Sequence, residues 1–71
     1  MKTVAICGWE VGFQKVRFTE LLKGELGYSL SDAKAATDAV LENRRFEIRL
    51  RDELFDRVVR ELLELGVKVE L

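Results

Sequence analysis

Residues 14–34 read QKVRFTELLKGELGYSLSDAK, and this stretch decides the fold because it contains two helices, not one. Plotted at about 100° per residue, Phe18, Leu21, Leu22 and Leu26 fall in one arc, the signature of a helix with one buried face. Gly27 stands where a left-handed residue commonly ends a helix, and Ser29-x-x-Asp32 is a capping-box-like start for the next. Val16 breaks the pattern. It lies roughly opposite the apolar arc, among Thr19, Glu20 and Lys23, a position suited to a partner and not to a core.

Working outward, Met1 to Cys7 alternates enough for a short strand, with Val4 and Ile6 on one side and Thr3, Ala5 and Cys7 on the other. Gly8-Trp9-Glu10-Val11-Gly12 is expected to be a loop, broken by its glycines, with Trp9 half exposed. The first helix should run from about Phe13 to Leu26 and the second from Leu30 to Glu42. The second should bury Leu30, Ala33, Ala36, Thr37, Val40 and Leu41, giving an antiparallel helical pair. Beyond Asn43, a C-terminal cap, Arg45 to Arg51 alternates strictly. Phe46, Ile48 and Leu50 face a core while Arg45, Glu47, Arg49 and Arg51 face water.

Asp52 is a good N-cap for a third helix, whose Leu54, Phe55, Val58, Val59, Leu62, Leu63 and Leu65 fill about half the helical circumference. Gly66 ends it, and Val67, Val69 and Leu71 alternate with Lys68 and Glu70 in a last strand. The order β-α-α-β-α-β predicts an α+β two-layer sandwich. It consists of a three-stranded antiparallel sheet with three helices on one face. Seventy-one residues make a single domain, 1–71, with roughly 60% of its unfolded surface buried and a stability of a few kcal/mol.

Composition narrows the function. Twelve Lys/Arg against thirteen Asp/Glu leave a formal charge of −1, so no global field draws the chain to nucleic acid or an anionic membrane. No apolar run approaches the ~18 residues of a membrane span. Cys7 has no partner for a disulfide and no leader-like apolar run opens the chain, which points to a reducing, cytoplasmic compartment. Without histidine, a second cysteine or a glycine-rich phosphate loop, the usual residues of nucleophilic, metal and nucleotide chemistry are missing. No enzyme activity, cofactor or metal is expected.

The run Gln14-Lys15-Val16, then Lys23-Gly24, then Gly27-Tyr28-Ser29-Leu30-x-x-Ala33-Lys34 resembles the C-terminal domain of the bacterial large-subunit ribosomal stalk protein. Leu62-Leu63-Glu64-Leu65-Gly66-Val67-Lys68-Val69-Glu70-Leu71 is similar to that family's closing helix and strand. The same topology occurs in the ClpS protease adaptor. The resemblance implies a ClpS-like fold with the last strand in the middle of the sheet. It also implies a surface for translational GTPases on the exposed face of the first helix and the start of the second. Here that face is Lys15, Val16, Thr19, Glu20, Lys23 and Lys34, with Gly24 allowing close approach. Glu20 replaces a family lysine and Thr19 a family apolar residue, and each exchange weakens such a contact. The Asn-Asp pair of N-degron adaptors is replaced by Gly8-Trp9-Glu10.

Each signal has a plainer reading. Val16 is also readable as a lone apolar residue on a solvated helix. Trp9 is either a second binding anchor or a ring packed over a sheet edge or helix end. Arg44, Arg45, Arg49 and Arg51 offer phosphate contacts, but without aromatic stackers, cross-strand ion pairing with Glu47 and Glu70 accounts better for them. The margin of the third helix, near Leu63 or Leu54, offers a homodimer contact as the alternative to burial. The expected function is therefore a non-catalytic protein-interaction module, its partner a translational GTPase or a protease component. A homo-oligomeric structural subunit is the alternative.

Overall fold

A computed structural model describes residues 1–70. The elements follow the order β1 (Lys2–Trp9), α1 (Lys15–Leu26), α2 (Leu30–Leu41), β2 (Phe46–Leu50), α3 (Asp52–Glu64) and β3 (Val67–Glu70). The α+β architecture and its single three-stranded antiparallel sheet are those the sequence pattern predicts. Leu71, expected as the last inward residue of β3, lies outside the described residues.

The sheet order is β2-β1-β3, so β1 is central and the expectation that the last strand lies in the middle is overturned. Both neighbours are antiparallel to β1 and hence parallel to each other, with α3 crossing between them. The physical reason lies in the strands themselves. β1 is the longest and most apolar, and its Val4, Ala5 and Ile6 are all buried. The charge-rich β2 and β3 guard the two edges.

β1 also runs two residues further than expected, through Gly8 and Trp9. The register passes from Ile6↔Val69 to Gly8↔Lys68, leaving Cys7 as the extra residue of a bulge. One inserted residue reverses which face the following side chains take. Trp9 thereby pairs with Val67, on the helix-covered side, instead of standing in a loop. Glycine in a strand is a known marker of such a bulge.

The core joins Val4, Ile6, Ile48, Leu50 and Val67 of the sheet to Phe18, Leu21, Leu22, Ala33, Val40, Val58 and Leu62 of the helices. Arg45, Glu47, Lys68 and Glu70 are exposed, and Arg45 reaches Glu47 at 3.6 Å and Glu70 at 3.9 Å. The pairing across the sheet is thus confined to Arg45, just before β2: Arg44 pairs with Glu42, and Arg49 and Arg51 form no ion pair among the described residues. Cys7 is half-buried, its Sγ 3.5 Å from the Lys68 carbonyl.

α1 begins at Lys15, two residues later than predicted, because the preceding loop is held elsewhere. Glu10 N–H donates to the Gly66 carbonyl at 2.8 Å and Gln14 N–H to that of Leu65 at 3.0 Å. Phe13 is left to pack edge-on against Phe18, 5.6 Å between centroids. Gly27 ends α1 at φ 72°, and Ser29 Oγ accepts from Asp32 N–H at 3.1 Å. Ser29→Ala should cost about 1 kcal/mol, the usual worth of an N-cap, read as a lower urea midpoint with unchanged slope.

Three burial expectations fail. Leu30 and Leu41 are 49% and 36% exposed, although the apolar pattern puts both on the buried side of α2. At about 100° per residue they lie about 60° and 80° from Ala33, on one flank of a buried arc centred on Ala33, Thr37 and Val40. Leu63 is 56% exposed, since α3 packs through Val58, Val59 and Leu62. Asp52 does not cap α3. Arg51 holds the cap position, and Asp52 is the first helical residue, its carboxylate 3.3 Å from the amino group of Met1.

Candidate functional site

The connection Gly27–Ser29 folds α2 back on α1, so that the first half of one helix meets the second half of the other. Thr19 of α1 and Thr37 of α2 mark the seam, their Oγ1 atoms 2.7 Å apart. Thr19 Oγ1 also lies 2.9 Å from the Lys15 carbonyl and Thr37 Oγ1 2.9 Å from that of Ala33. Two hydroxyls own two protons, so the three contacts share them and only two are full hydrogen bonds at once. The seam is therefore polar at its floor.

Above that floor is a shallow groove of about 220 Å³, lined by Lys15, Val16, Thr19, Lys34, Thr37 and Asp38. Four of the residues singled out from the sequence meet there. Val16, the second residue of α1, is 64% exposed, as its place on the helical wheel requires. Lys15 and Lys34 are exposed. Thr19 is half-buried and turned to α2, its hydroxyl engaged within the protein.

The other predicted residues divide. Lys23 is exposed and lies two turns beyond Val16 on nearly the same line. Glu20 and Gly24 line a different, larger opening of about 790 Å³ between α1 and α3, with Gln14, Arg17, Glu61 and Glu64. Arg57 closes one side of that opening with a two-pronged contact to Glu25, at 2.9 and 2.6 Å. That hydrogen bond, and then the charge of Glu25, hold the Arg57 guanidinium even further above its usual range. A Cβ on Gly24 would meet nothing within 4 Å, so its missing side chain answers to no contact inside the chain.

Trp9 stands at the C-terminal end of α2. Its indole N–H donates to the Leu41 carbonyl at 3.2 Å, and its ring lies 6.4 Å from that of Phe13. The ring is still 38% exposed, so packing over a helix end and presentation to solvent coexist. At the opposite end of α2, burial and then the nearby Asp32 carboxylate raise the pKa of Tyr28 above its ordinary value.

Leu30 and Leu41 are the surface residues that the sequence reading missed. The available signal was their place at the edge of the α2 apolar arc, not at its centre. Among the described residues, no three His, Cys, Asp or Glu side chains are placed to hold a metal, and no helix is long and apolar enough to cross a membrane. No protein-family model, curated protein or solved structure matches this chain.

Proposed function

We propose that this chain is a non-catalytic protein-interaction module that binds its partner through α1 and the start of α2. The observation that carries the reading is Val16, an apolar side chain left largely in water in the α1–α2 groove that Lys15 and Lys34 also line. Lys15, Lys23 and Lys34 give that surface a local positive field on a chain of net charge −1, so the complementary partner surface is acidic. A translational GTPase, the partner implied by the stalk-like resemblance, is the first candidate. A protease component, implied by the ClpS likeness, is the second.

Glu20, exposed one turn beyond Val16 and also lining the α1–α3 opening, offsets part of this field, which the three lysines keep positive. Proteins recovered by the immobilised wild-type chain should be lost, by tenfold or more in recovered amount, when Val16→Asp is used instead. Equal recovery by both would remove the reading.

A further inference from the structure

We infer that the segment of the partner which docks here is an amphipathic α-helix of about three turns with an acidic flank, lying along the α1–α2 seam. This rests on the interaction reading of Val16 and extends it in surface and in partner chemistry. Leu30 and Leu41 are separated by eleven residues of α2, about 16 Å at 1.5 Å per residue. Lys34 and Thr37 lie between them on the same helical stripe. Val16 shares the groove with Lys34, Thr37 and Asp38, toward the second half of α2, and the exposed ring of Trp9 extends the stripe at the Leu41 end. Leu30 and Leu41 are therefore spaced as positions i and i+11 of a docking helix are, and Val16 adds a third apolar station on the facing wall of the same seam.

The seam selects a helix over an extended peptide. Its walls are helices whose backbone groups are already paired along their length, so an incoming strand would find no main-chain partners there. A helix brings its own backbone satisfied. The acidic flank follows from Lys15, Lys23 and Lys34, none of which forms an ion pair among the described residues, whereas Asp38 is the single carboxylate lining the groove. A second copy of the chain fits less well. Its acidic helix α3 offers one well-exposed leucine, Leu63, against three stations.

The test is a selection of binders to the folded wild-type chain from a display library of randomised 18-residue peptides. Selected peptides should show apolar residues with three- and four-residue spacing and Asp or Glu on the adjoining face. Their affinity should fall tenfold or more with Leu30→Asp and with Leu41→Gln, as well as with Val16→Asp. Thermal melts of each variant confirm that it folds, and Leu30→Ser replaces Leu30→Asp if that one does not. An empty selection, peptides without helical spacing, or peptides rich in Lys and Arg would overturn the inference. Sensitivity to Val16→Asp alone would retain the interaction reading and discard the seam-long helix. Indifference to all three variants would discard both. Self-association in light scattering that Val16→Asp abolishes would assign the seam to a second copy and overturn the inference likewise.

Discussion

Gly66→Ala should destabilise the chain by about 2–4 kcal/mol, a large share of what a domain of this size has to lose. Gly66 has φ 88°, and a Cβ there would lie 3.0 Å from Phe13 Cα and 3.2 Å from Phe13 N. Both atoms are backbone, so no rotamer change relieves the clash. The left-handed conformation alone costs a non-glycine residue about 1–2 kcal/mol. The remainder comes from displacing the 10–14 loop, which is pinned to this corner by two backbone hydrogen bonds. Gly27→Ala is the matched control. Its φ of 72° imposes the same conformational penalty, but nothing lies within 4 Å of the added methyl. Urea denaturation should therefore show the Gly66 variant losing about twice as much as the Gly27 variant. Equal losses would contradict the close approach of β1's loop to the α3–β3 corner.

The second large effect is expected at Phe18. Its ring is fully buried at the centre of the cluster, edge-on to Phe13, and Phe18→Ala should cost about 3–5 kcal/mol through lost transfer energy and the cavity left behind. At about 0.05–0.15 kcal/mol of stability per residue, that loss leaves the chain close to its unfolding threshold. Far-ultraviolet circular dichroism at 25 °C should show a partly unfolded population that ligand-free wild type lacks. A loss below about 1 kcal/mol would mean that the helical layer is not organised around this ring.

Features that depend on a few neighbouring residues were legible in the sequence. Gly27 and Ser29 fix the break between α1 and α2 by local backbone and cap chemistry, and the alternation from Arg45 to Arg51 fixes β2 and its faces. Val16 was legible for the same reason, since its exposure follows from helical angle alone.

Features that depend on distant partners were not. Leu30 and Leu41 sit at the margin of an apolar arc, and only the placement of α1 and β1 against α2 decides that this margin stays wet. Strand order depends on which edges find neighbours, a matter of tertiary pairing, although the charge on β2 and β3 was the available hint. Trp9 stands in β1 and not in the expected loop because a bulge at Cys7 keeps the strand going through Gly8. Asp52 is the first helical residue and not the cap because the chain turns into α3 one residue earlier, at Arg51, which makes no side-chain cap hydrogen bond. For the candidate site, Lys15, Val16, Thr19 and Lys34 were legible, and the fold added the α2 stripe and set Glu20 and Gly24 among the residues lining another opening.

Whether Val16 serves binding or packing is decided by Val16→Asp measured for both properties on one preparation. α1 has no acidic residue in its first turn, so a carboxylate at its second position should leave unfolding free energy unchanged or raise it by about 0.3–1 kcal/mol. The same variant should lose its partner by tenfold or more. A fall in stability of about 2 kcal/mol or more would make Val16 a packing residue, and full retention of partner binding by a folded Val16→Asp chain would remove its binding role.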